Sequence, residues 1–262
     1  MKFTIVNRLD EKSIETGKYV EKALLEAGKV RDNKNPEIVI VIGGDGTFLV
    51  AAHKYIEIIS DVLMVGIHTG TLGFFADFKV DEIDMLIHSI LNKKPKVSTK
   101  RLLKTKVVNN DDKNQIYYSL NEIRIENVIK TQILKVWINH VFLETFRGTG
   151  ICVSTQPGST GYNRSLKGAV ISDQLELLQM TEITGIHHKL FQSLQVPLIL
   201  ADDAEIDFAS PSFKEAILCY DHLSVNISDA KHIFCSLSKS KKINFARYKD
   251  GLKYTHRIKS LF

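Results

Sequence analysis

A run of five apolar residues, Ile38 to Ile42, leads directly into the turn Gly43-Gly44-Asp45-Gly46-Thr47 and then into a helix-like stretch that begins at Phe48. Glycines have no Cβ atom, so the chain can turn tightly here and its backbone can approach a ligand closely. Thr47 can cap the following helix, whose first N–H groups then point at an anion. The alternative is an ordinary strand-to-helix turn in which Asp45 is a local cap. An acidic residue among three glycines at the end of a buried strand favours a site for a phosphorylated ligand.

The size and composition of the chain fit a globular protein with one large or two modest domains. Its 262 residues can build real cores, and 44% hydrophobic and 25% charged residues are ordinary values. The net charge of +5 suits an anionic small molecule, and the scattered basic residues lack the dense face of a nucleic-acid binder.

The cysteines and the lengths of the apolar runs predict the cellular compartment of the protein. Cys152, Cys219 and Cys235 are odd in number and far apart, which fits neither a disulfide framework nor a zinc knuckle and predicts reducing surroundings. The N-terminal apolar run is too short for a signal peptide, and no stretch is long enough to span a bilayer. We therefore expect a cytoplasmic protein without nucleic-acid or membrane partners.

The first hundred residues alternate between strand and helix patterns. Strands are predicted at Lys2–Val6, Ile38–Ile42 and Val62–Ile67, and helices at Ser13–Ala27, Phe48–Ile59 and Ile83–Leu91. The apolar run at Ile38–Ile42 is continuous, as in a parallel strand covered on both faces. This pattern predicts a doubly wound α/β domain at residues 1–99.

From about residue 100 the segments become short, β-branched and alternating. Strands are predicted at Thr105–Val108, Tyr117–Leu120, Ile133–Ile138, Val141–Phe146, Glu205–Phe208, Ala216–Tyr220, Leu223–Ile227 and Ile233–Leu237. Asn139-His140 is a predicted hairpin turn. We interpret residues 100–236 as an all-β, β-sandwich-like domain after the linker Lys93-Lys94-Pro95-Lys96, and expect residues 237–262 to pack back on the first domain.

The glycine turn differs from two common phosphate-binding motifs. The sequence has neither G-x-x-x-x-G-K-[ST] nor G-x-G-x-x-G after its first strand. Asp45 can act as general base on a hydroxyl or help to place a divalent cation near phosphates. A free aspartate has a pKa of about 3.9 and is a weak base unless burial raises that value. A hydrogen bond to the acceptor hydroxyl can still make it effective, because geometry comes first.

Further clusters are candidates for ligand binding. The loop Gly66 to Asp77 follows the third strand, so it lies at the same sheet edge as the first turn, and its Phe74 either stacks on a base or is a plain core residue. Arg147-Gly148-Thr149-Gly150 and the stretch Ser154–Ser165 are rich in hydroxyls, amides and glycines, and the longer stretch is predicted to be a ligand-binding loop. Asn121-Glu122 offers an amide and a carboxylate suited to ribose hydroxyls.

A metal site at His187-His188 is disfavoured. Adjacent residues do not share a helix face, and a metal needs three or more convergent ligands. No metal ligand is therefore assigned from the sequence.

Taken together, these clusters resemble the NAD kinases, in their short bacterial form. The matching segments are Gly43-Gly44-Asp45-Gly46-Thr47, Gly66–Asp77, Asn121-Glu122, Phe146-Arg147-Gly148, Ser154–Ser165 and Asp221-His222, and they span essentially the whole chain. Diacylglycerol, sphingosine and phosphofructokinases share the first motif. The loop His68-Thr69-Gly70 through Gly73-Phe74 and the segment Thr160-Gly161-Tyr162-Asn163 are more specific.

The resemblance implies transfer of the terminal phosphoryl group of ATP, or of polyphosphate, to the 2′-hydroxyl of the adenosine ribose of NAD. It also implies a divalent cation such as Mg²⁺, a homo-oligomer that is often a tetramer, and a site between two domains. Asp45 would be the base. The residues that would line the nucleotide site are Gly44, Gly46, Phe74, Asn121, Glu122, Arg147, Thr149, Ser159, Thr160, Gly161, Tyr162, Asn163, Arg164, Ser165, Thr184 and Asp221.

Three positions depart from the pattern of the resembling family. Thr149 stands where an aspartate usually follows Arg-Gly, which removes a carboxylate expected near the nicotinamide end. Thr155-Gln156-Pro157-Gly158 replaces the usual Thr-Pro-x-Gly, and Gly161 replaces a common alanine. Two other functions stay open: a lipid kinase of the same superfamily, which would need an exposed apolar entrance, and a non-catalytic NAD(P)(H) sensor, for which Thr149 is the only support.

Overall fold

The computed structural model of the protein describes residues 1–70, 73–187, 192–211, 213–249 and 254–259. The chain divides into two compact units, Met1–Lys100 with Ser240–Phe262, and Arg101–Lys239. The divisions fall within two long strands, β6 (Lys96–Asn109) and β16 (Ala230–Arg247). Each unit is built around its own hydrophobic cluster.

The first unit is a parallel sheet with helices. Its elements are β1 (Lys2–Asn7), α1 (Glu11–Glu26), β2 (Val30–Arg31), β3 (Ile38–Ile42), α2 (Asp45–Lys54), β4 (Leu63–His68), β5 (Phe78–Lys79), a 3₁₀ turn (Val80–Glu82), α3 (Ile83–Asn92) and the C-terminal helix α5 (Tyr254–Lys259). The strands pair in parallel, β2 with β1, β1 with β3, β3 with β4, and the end of β16 with β4. Every residue of β3 is buried, which confirms the prediction from its continuous apolar run.

The start of α2 differs from the prediction. The helix begins at Asp45 and ends at Lys54, whereas the sequence predicted Phe48–Ile59 with Thr47 as its cap. The N-cap residue is Gly44, which makes no side-chain capping bond, and Thr47 lies inside the helix. A Cβ added at Gly43 would lie 2.2 Å from the Thr47 hydroxyl oxygen. The threonine side chain therefore packs over a glycine, and the helix follows the strand with almost no loop.

The second unit consists mainly of antiparallel strands. Its elements after β6 are β7 (Asn114–Ser119), β8 (Glu122–Glu126), β9 (Gln132–Ile138), β10 (Val141–Thr155), a 3₁₀ turn (Pro157–Thr160), α4 (Tyr162–Ser165), β11 (Leu178–Gly185), β12 (Leu198–Leu200), β13 (Glu205–Ala209), β14 (Ile217–Tyr220), β15 (Leu223–Asn226) and β16. The strands β15, β14, β8, β10, β9, β13 and β16 pair in that order, and β11 also pairs with β10. The mixed α/β and all-β fold class predicted from the sequence is confirmed.

The turns and loops predicted in the second unit gave one correct and one wrong prediction. Asn139 and His140 both have positive φ (49° and 66°) and join β9 to β10, as predicted for a tight hairpin. The cluster Arg147–Gly150 lies within the 15-residue strand β10. The predicted loop Ser154–Ser165 begins as the end of β10 and continues as helical turns, because Pro157 favours the first position of a helical turn.

None of the helices within the described ranges has the length and apolarity that crossing a membrane requires. The three cysteines are free thiols and all are buried.

Candidate functional site

In the first unit, backbone amides hold the carboxylate of Asp45 at the first turn of α2. The N–H of Phe74 donates to both Asp45 oxygens at 3.0 and 2.9 Å, and the N–H of Phe75 donates to Oδ1 at 3.1 Å. These amides belong to the loop after β4, which the sequence placed at the same sheet edge. The structure thus brings together two of the predicted site residues, Asp45 and Phe74.

Two glycines, Gly73 and Gly66, allow the loop after β4 and the start of α2 to lie close together. A Cβ added at Gly73 would lie 2.2 Å from Asp45 Oδ1, so only glycine fits beside the carboxylate. A Cβ at Gly66 would lie 2.3 Å from the ring of Phe48, which packs α2 onto the sheet. Phe48 also packs near Phe75, with ring centroids 5.5 Å apart. The loop and the helix start are therefore held against each other by core packing.

The surroundings of Asp45 raise its pKa above the ordinary value. Burial is the main cause, because it penalises the charged carboxylate. The amides of Phe74 and Phe75 and the charges of Arg257 and His68 act in the opposite direction without outweighing burial. A carboxylate with a raised pKa accepts a proton more readily, which is the property required of a general base.

Three other predicted residues surround Asp45. Gly44 and Gly46 flank it at the helix start, and Gly46 is exposed. The first N–H groups of a helix have no partner within the helix and favour anions. Phe74 is half-buried, and its ring lies edge-on to that of Tyr254 at 6.2 Å.

In the second unit, Asp221 fixes the turn that carries Asn121 and Glu122. Its carboxylate accepts from the N–H groups of Leu120 and Asn121 at 2.8 and 2.7 Å. Asp221 itself has a positive φ of 51° at the end of β14. Its described hydrogen bonds therefore serve to orient the two residues that the sequence selected for sugar recognition.

Asn121 and Glu122 each present a buried polar atom without a hydrogen-bond partner, Asn121 Oδ1 and Glu122 Oε2. Buried polar atoms are nearly always paired in native proteins, so these two atoms can bond a polar group of a ligand or a water. The carboxyl of Glu122 lies close to Gly161, whose added Cβ would be 3.4 Å from Oε2. Gly158 lies still closer to this turn, because its added Cβ would be 2.1 Å from the carbonyl oxygen of Asn121.

Burial and the neighbouring Asp221 raise the pKa of Glu122 to about 8, while Arg124 acts in the opposite direction. At neutral pH this side chain is therefore mainly a neutral carboxylic acid. It can donate one hydrogen bond and accept others, as a ribose hydroxyl requires.

The raised pKa makes folding stability depend on pH. Between the ordinary value of 4.5 and about 8, the folded protein holds a proton on Glu122 that the unfolded chain has lost. The free energy of unfolding is therefore expected to fall as pH rises through this window, by about 1.4 kcal/mol per pH unit from this group.

Denaturant titrations across this pH window, compared with those of Glu122→Gln, measure the slope of the free energy of unfolding against pH. The variant is expected to lack it, and an equal slope in both proteins would contradict the assignment. Glu57→Gln, at a side chain 91% exposed, is the matched control.

The second unit also contains a charged cluster that was not predicted from the sequence. Arg124 and Glu126 pair at 3.0 Å on β8, and the guanidinium of Arg124 lies 4.2 Å from the ring centre of Tyr162. Tyr162 also donates to Glu126 at 3.4 Å. The alternation Glu-Ile-Arg-Ile-Glu at residues 122–126 is the sequence signal, since it places three charges on one face of a strand.

The remaining predicted residues of the helical turns have different surroundings. Ser159 and Asn163 are fully buried and bond within the unit, to Ile171 N–H and to the hydroxyl of Thr181. Thr160 donates to the carbonyl of Pro157. Arg164 and Ser165 are exposed. Gly161 lies beside Glu122, and Tyr162 lies beside Arg124 and Glu126.

Arg147, Thr149 and Thr184 form a separate group further along β10 and β11. Gly148 pairs with Gly185, and a Cβ at Gly148 would lie 2.5 Å from the carbonyl oxygen of Thr184. Arg147 and Thr149 are two residues apart in one strand, so their side chains share a face. Thr184 is exposed and has a positive φ of 47°.

Within the described ranges there is no group of three or more His, Cys, Asp or Glu side chains that could hold a metal ion. His187 lies 3.5 Å from the carboxylate of Glu182, and His188 lies outside the described residues.

Two family models and several relatives match this chain. Residues 4–95 match the ATP-NAD kinase N-terminal domain, and residues 113–246 match the ATP-NAD kinase C-terminal domain. An NAD kinase of Lysinibacillus sphaericus is 37% identical over 249 residues, with 95% of this chain and 94% of the relative covered. One of Lactobacillus helveticus is 36% identical over 239 residues, covering 91% and 88%.

Solved structures share the fold. An NAD kinase from Archaeoglobus fulgidus in complex with ATP aligns over 100% of this chain and 98% of its own, with a TM-score of 0.79 and 20% identity. Yeast NADH kinase complexed with NADH aligns over 98% and 85%, with a TM-score of 0.82 and 18% identity. With both halves of the chain matched and relatives above 30% identity, this chain belongs to the ATP-NAD kinase family.

Proposed function

We propose that this protein transfers the terminal phosphoryl group of ATP to the 2′-hydroxyl of the adenosine ribose of NAD, with Asp45 as the base. The observation that carries the proposal is the Asp45 carboxylate, held by two loop amides at the start of α2. Its raised pKa suits proton removal from a hydroxyl. Phosphoryl transfer needs little covalent chemistry from the protein, so positioning the acceptor and stabilising charge are its main tasks.

The orphaned polar atoms support recognition of the sugar of the dinucleotide. Asn121 Oδ1 can accept and the neutral carboxyl of Glu122 can donate, so together they satisfy a hydroxyl pair. Asp221 holds both residues in place through their backbone. The exposed Tyr162, supported by Arg124, offers an aromatic face nearby. Other proposed contacts are those of Gly44, Gly46, Phe74, Arg147, Ser159, Thr160, Gly161, Asn163, Arg164, Ser165 and Thr184.

A divalent cation, with Mg²⁺ as the expected ion, forms part of the proposal. Mg²⁺ usually keeps several waters and binds through one or two carboxylates and substrate phosphates, so the lone carboxylate at α2 fits an ion that arrives with ATP. Such an ion would neutralise negative charge on the phosphates.

The test is an assay of the purified protein with NAD or NADH as acceptor and ATP or polyphosphate as donor, with Mg²⁺ present or chelated. NADP formed from ATP and NAD is the expected result. Dinucleotide binding without product would favour a sensor, and phosphorylation of diacylglycerol or sphingosine would favour a lipid kinase. Polyphosphate as the better donor would replace ATP in the proposal.

Thr149 is proposed to face the nicotinamide end, where the resembling family usually has an aspartate. Thr149→Asp is then expected to tighten NAD binding severalfold, because one charge-assisted hydrogen bond contributes about 1 kcal/mol or more. Calorimetric titration with NAD measures the change. Thr145→Asp, at a half-buried position of the same strand, is the control and is expected to leave affinity unchanged. Equal affinity in Thr149→Asp and the parent would remove Thr149 from the site.

A cytoplasmic homotetramer completes the proposal. Exposed apolar residues at the start of β10, Val141, Phe142 and Leu143, are 70%, 52% and 40% exposed and offer a surface for a second copy. Analytical ultracentrifugation of the purified protein measures the assembly.

A further inference from the structure

The loop that holds Asp45 is itself held by cations from the C-terminal part of the first unit. Five consecutive carbonyl oxygens, those of residues 73–77, each accept a hydrogen bond from a basic side chain. Arg257 Nη1 lies 3.1, 2.7 and 2.9 Å from the carbonyls of Gly73, Phe74 and Ala76. Arg247 donates to Phe75 at 3.0 Å, and Lys249 donates to Asp77 at 3.3 Å. We call Arg247, Lys249 and Arg257 the C-terminal cations.

The Asp77 side chain ties these cations together. Its carboxylate is buried and lies 2.8 Å from Arg247 and within hydrogen-bond distance of Arg257, which is only 6% exposed. Residues 73–77 belong to no helix or strand, so their carbonyl oxygens have no partners in regular secondary structure. Backbone groups of a buried loop must be paired, and here the cations satisfy the carbonyls.

The same arrangement orients the amides. With the carbonyls of Gly73 and Phe74 bonded to Arg257, the N–H groups of Phe74 and Phe75 are directed to Asp45. Each peptide group is therefore bonded at both ends, to a cation on one side and to the carboxylate on the other. Hydrogen bonds in such a chain polarise and strengthen one another.

We propose that the C-terminal cations, and Arg257 above all, are positioning residues that hold the Asp45 carboxylate in its reactive place through residues 73–77. The proposal rests on the proposed role of Asp45 as base. Arg257 acts through the loop amides and does not itself take part in the proton transfer.

The primary test compares Arg257→Gln with Lys259→Gln, which removes the same charge from an exposed position of α5. Arg257→Gln is expected to lower kcat about tenfold and to leave the KM for NAD near its starting value. A catalytic group displaced by 1 Å can lower the rate about 10²-fold. Because Arg247 and Lys249 still hold the loop in this variant, the expected loss in kcat is smaller. Lys259→Gln is expected to keep kcat. Because Arg247 still pairs with Asp77, Arg257→Gln should fold. Arg257→Lys keeps the positive charge but lacks the forked guanidinium group, so its kcat should lie between those of the parent and Arg257→Gln.

Two readouts separate positioning from a general loss of stability. Hydrogen exchange at the amides of Phe74 and Phe75 is expected to become faster in Arg257→Gln and to stay unchanged in Lys259→Gln. The acid limb of the kcat/KM profile should move to higher pH in Arg257→Gln but not in Arg257→Lys, since Arg257 and His68 are the charged groups that lower the pKa of Asp45.

Wild-type kcat or unchanged amide exchange in Arg257→Gln would overturn the proposal. A fully active Arg257→Gln beside an inactive Asp45→Asn would overturn the positioning role alone. A fully active Asp45→Asn would instead overturn the proposed function, and the catalytic part of this proposal with it.

Discussion

Asp45→Asn is expected to lower kcat for NADP formation by about 10²–10⁴-fold, the usual contribution of a general base. The asparagine keeps the size of the side chain, and its carbonyl oxygen can still accept from the N–H groups of Phe74 and Phe75. What it loses is the ability to take a proton from the ribose hydroxyl. Steady-state kinetics at saturating ATP, with NAD affinity measured separately by calorimetry, gives the comparison.

The control for this substitution is Asp61→Asn, which removes an exposed carboxylate in the same unit and is expected to be fully active. The affinity for NAD should change little in Asp45→Asn, because the residues proposed to recognise the sugar belong to the Asn121–Glu122 turn. A variant that keeps more than about a tenth of the wild-type kcat would show that the reaction does not need Asp45 as its base.

Much of the fold could be predicted because hydrophobic periodicity reports burial directly. The bounds of β3 were predicted correctly, since Ile38–Ile42 has no polar residue and is flanked by a turn. The hairpin at Asn139-His140 was also predicted, because few residue pairs tolerate two positive φ angles. In both cases a local sequence pattern and the tertiary structure favour the same conformation.

Other elements could not be predicted because long-range contacts decide them. The stretch Ser154–Ser165 has the composition of a loop, but its first two residues belong to β10 and pair there with β11. Helix α2 begins three residues earlier than expected because Gly44 takes the cap position in place of Thr47. Local composition favoured a loop or a later start, and tertiary packing outweighed it.

In the candidate site, too, some residues could be predicted from local sequence patterns and others could not. Asp45 could be selected from the sequence because a carboxylate among glycines at a strand end is conspicuous, whereas Asn121 and Glu122 were selected through the resemblance to the NAD kinases. Arg257 and Asp77 could not, since 180 residues separate them and no motif joins them. No sequence pattern predicts the contact between Gly73 and Asp45 either. This contact is nevertheless the basis of a second substitution that is expected to lower kcat strongly.

Gly73→Ala is expected to lower kcat by about 10²-fold or more, because its new Cβ would lie 2.2 Å from Asp45 Oδ1 and 2.5 Å from Cγ. Either the carboxylate leaves the amides of Phe74 and Phe75 or the loop moves away, and both displace the base. Gly70→Ala is the matched control in the same loop, because its added Cβ would meet nothing within 4 Å. It is expected to be active, and thermal unfolding of both variants should stay close to the parent.

The double variant Asp45→Asn with Gly73→Ala decides whether Gly73 acts through Asp45. If it does, the two losses in kcat are not additive, and the double variant is no slower than Asp45→Asn alone. If the alanine damages the unit in some other way, the losses multiply, and a slower double variant would contradict the direct contact as the cause. Because the nearest atom to the added Cβ is Asp45 Oδ1, at 2.2 Å, we expect the non-additive result.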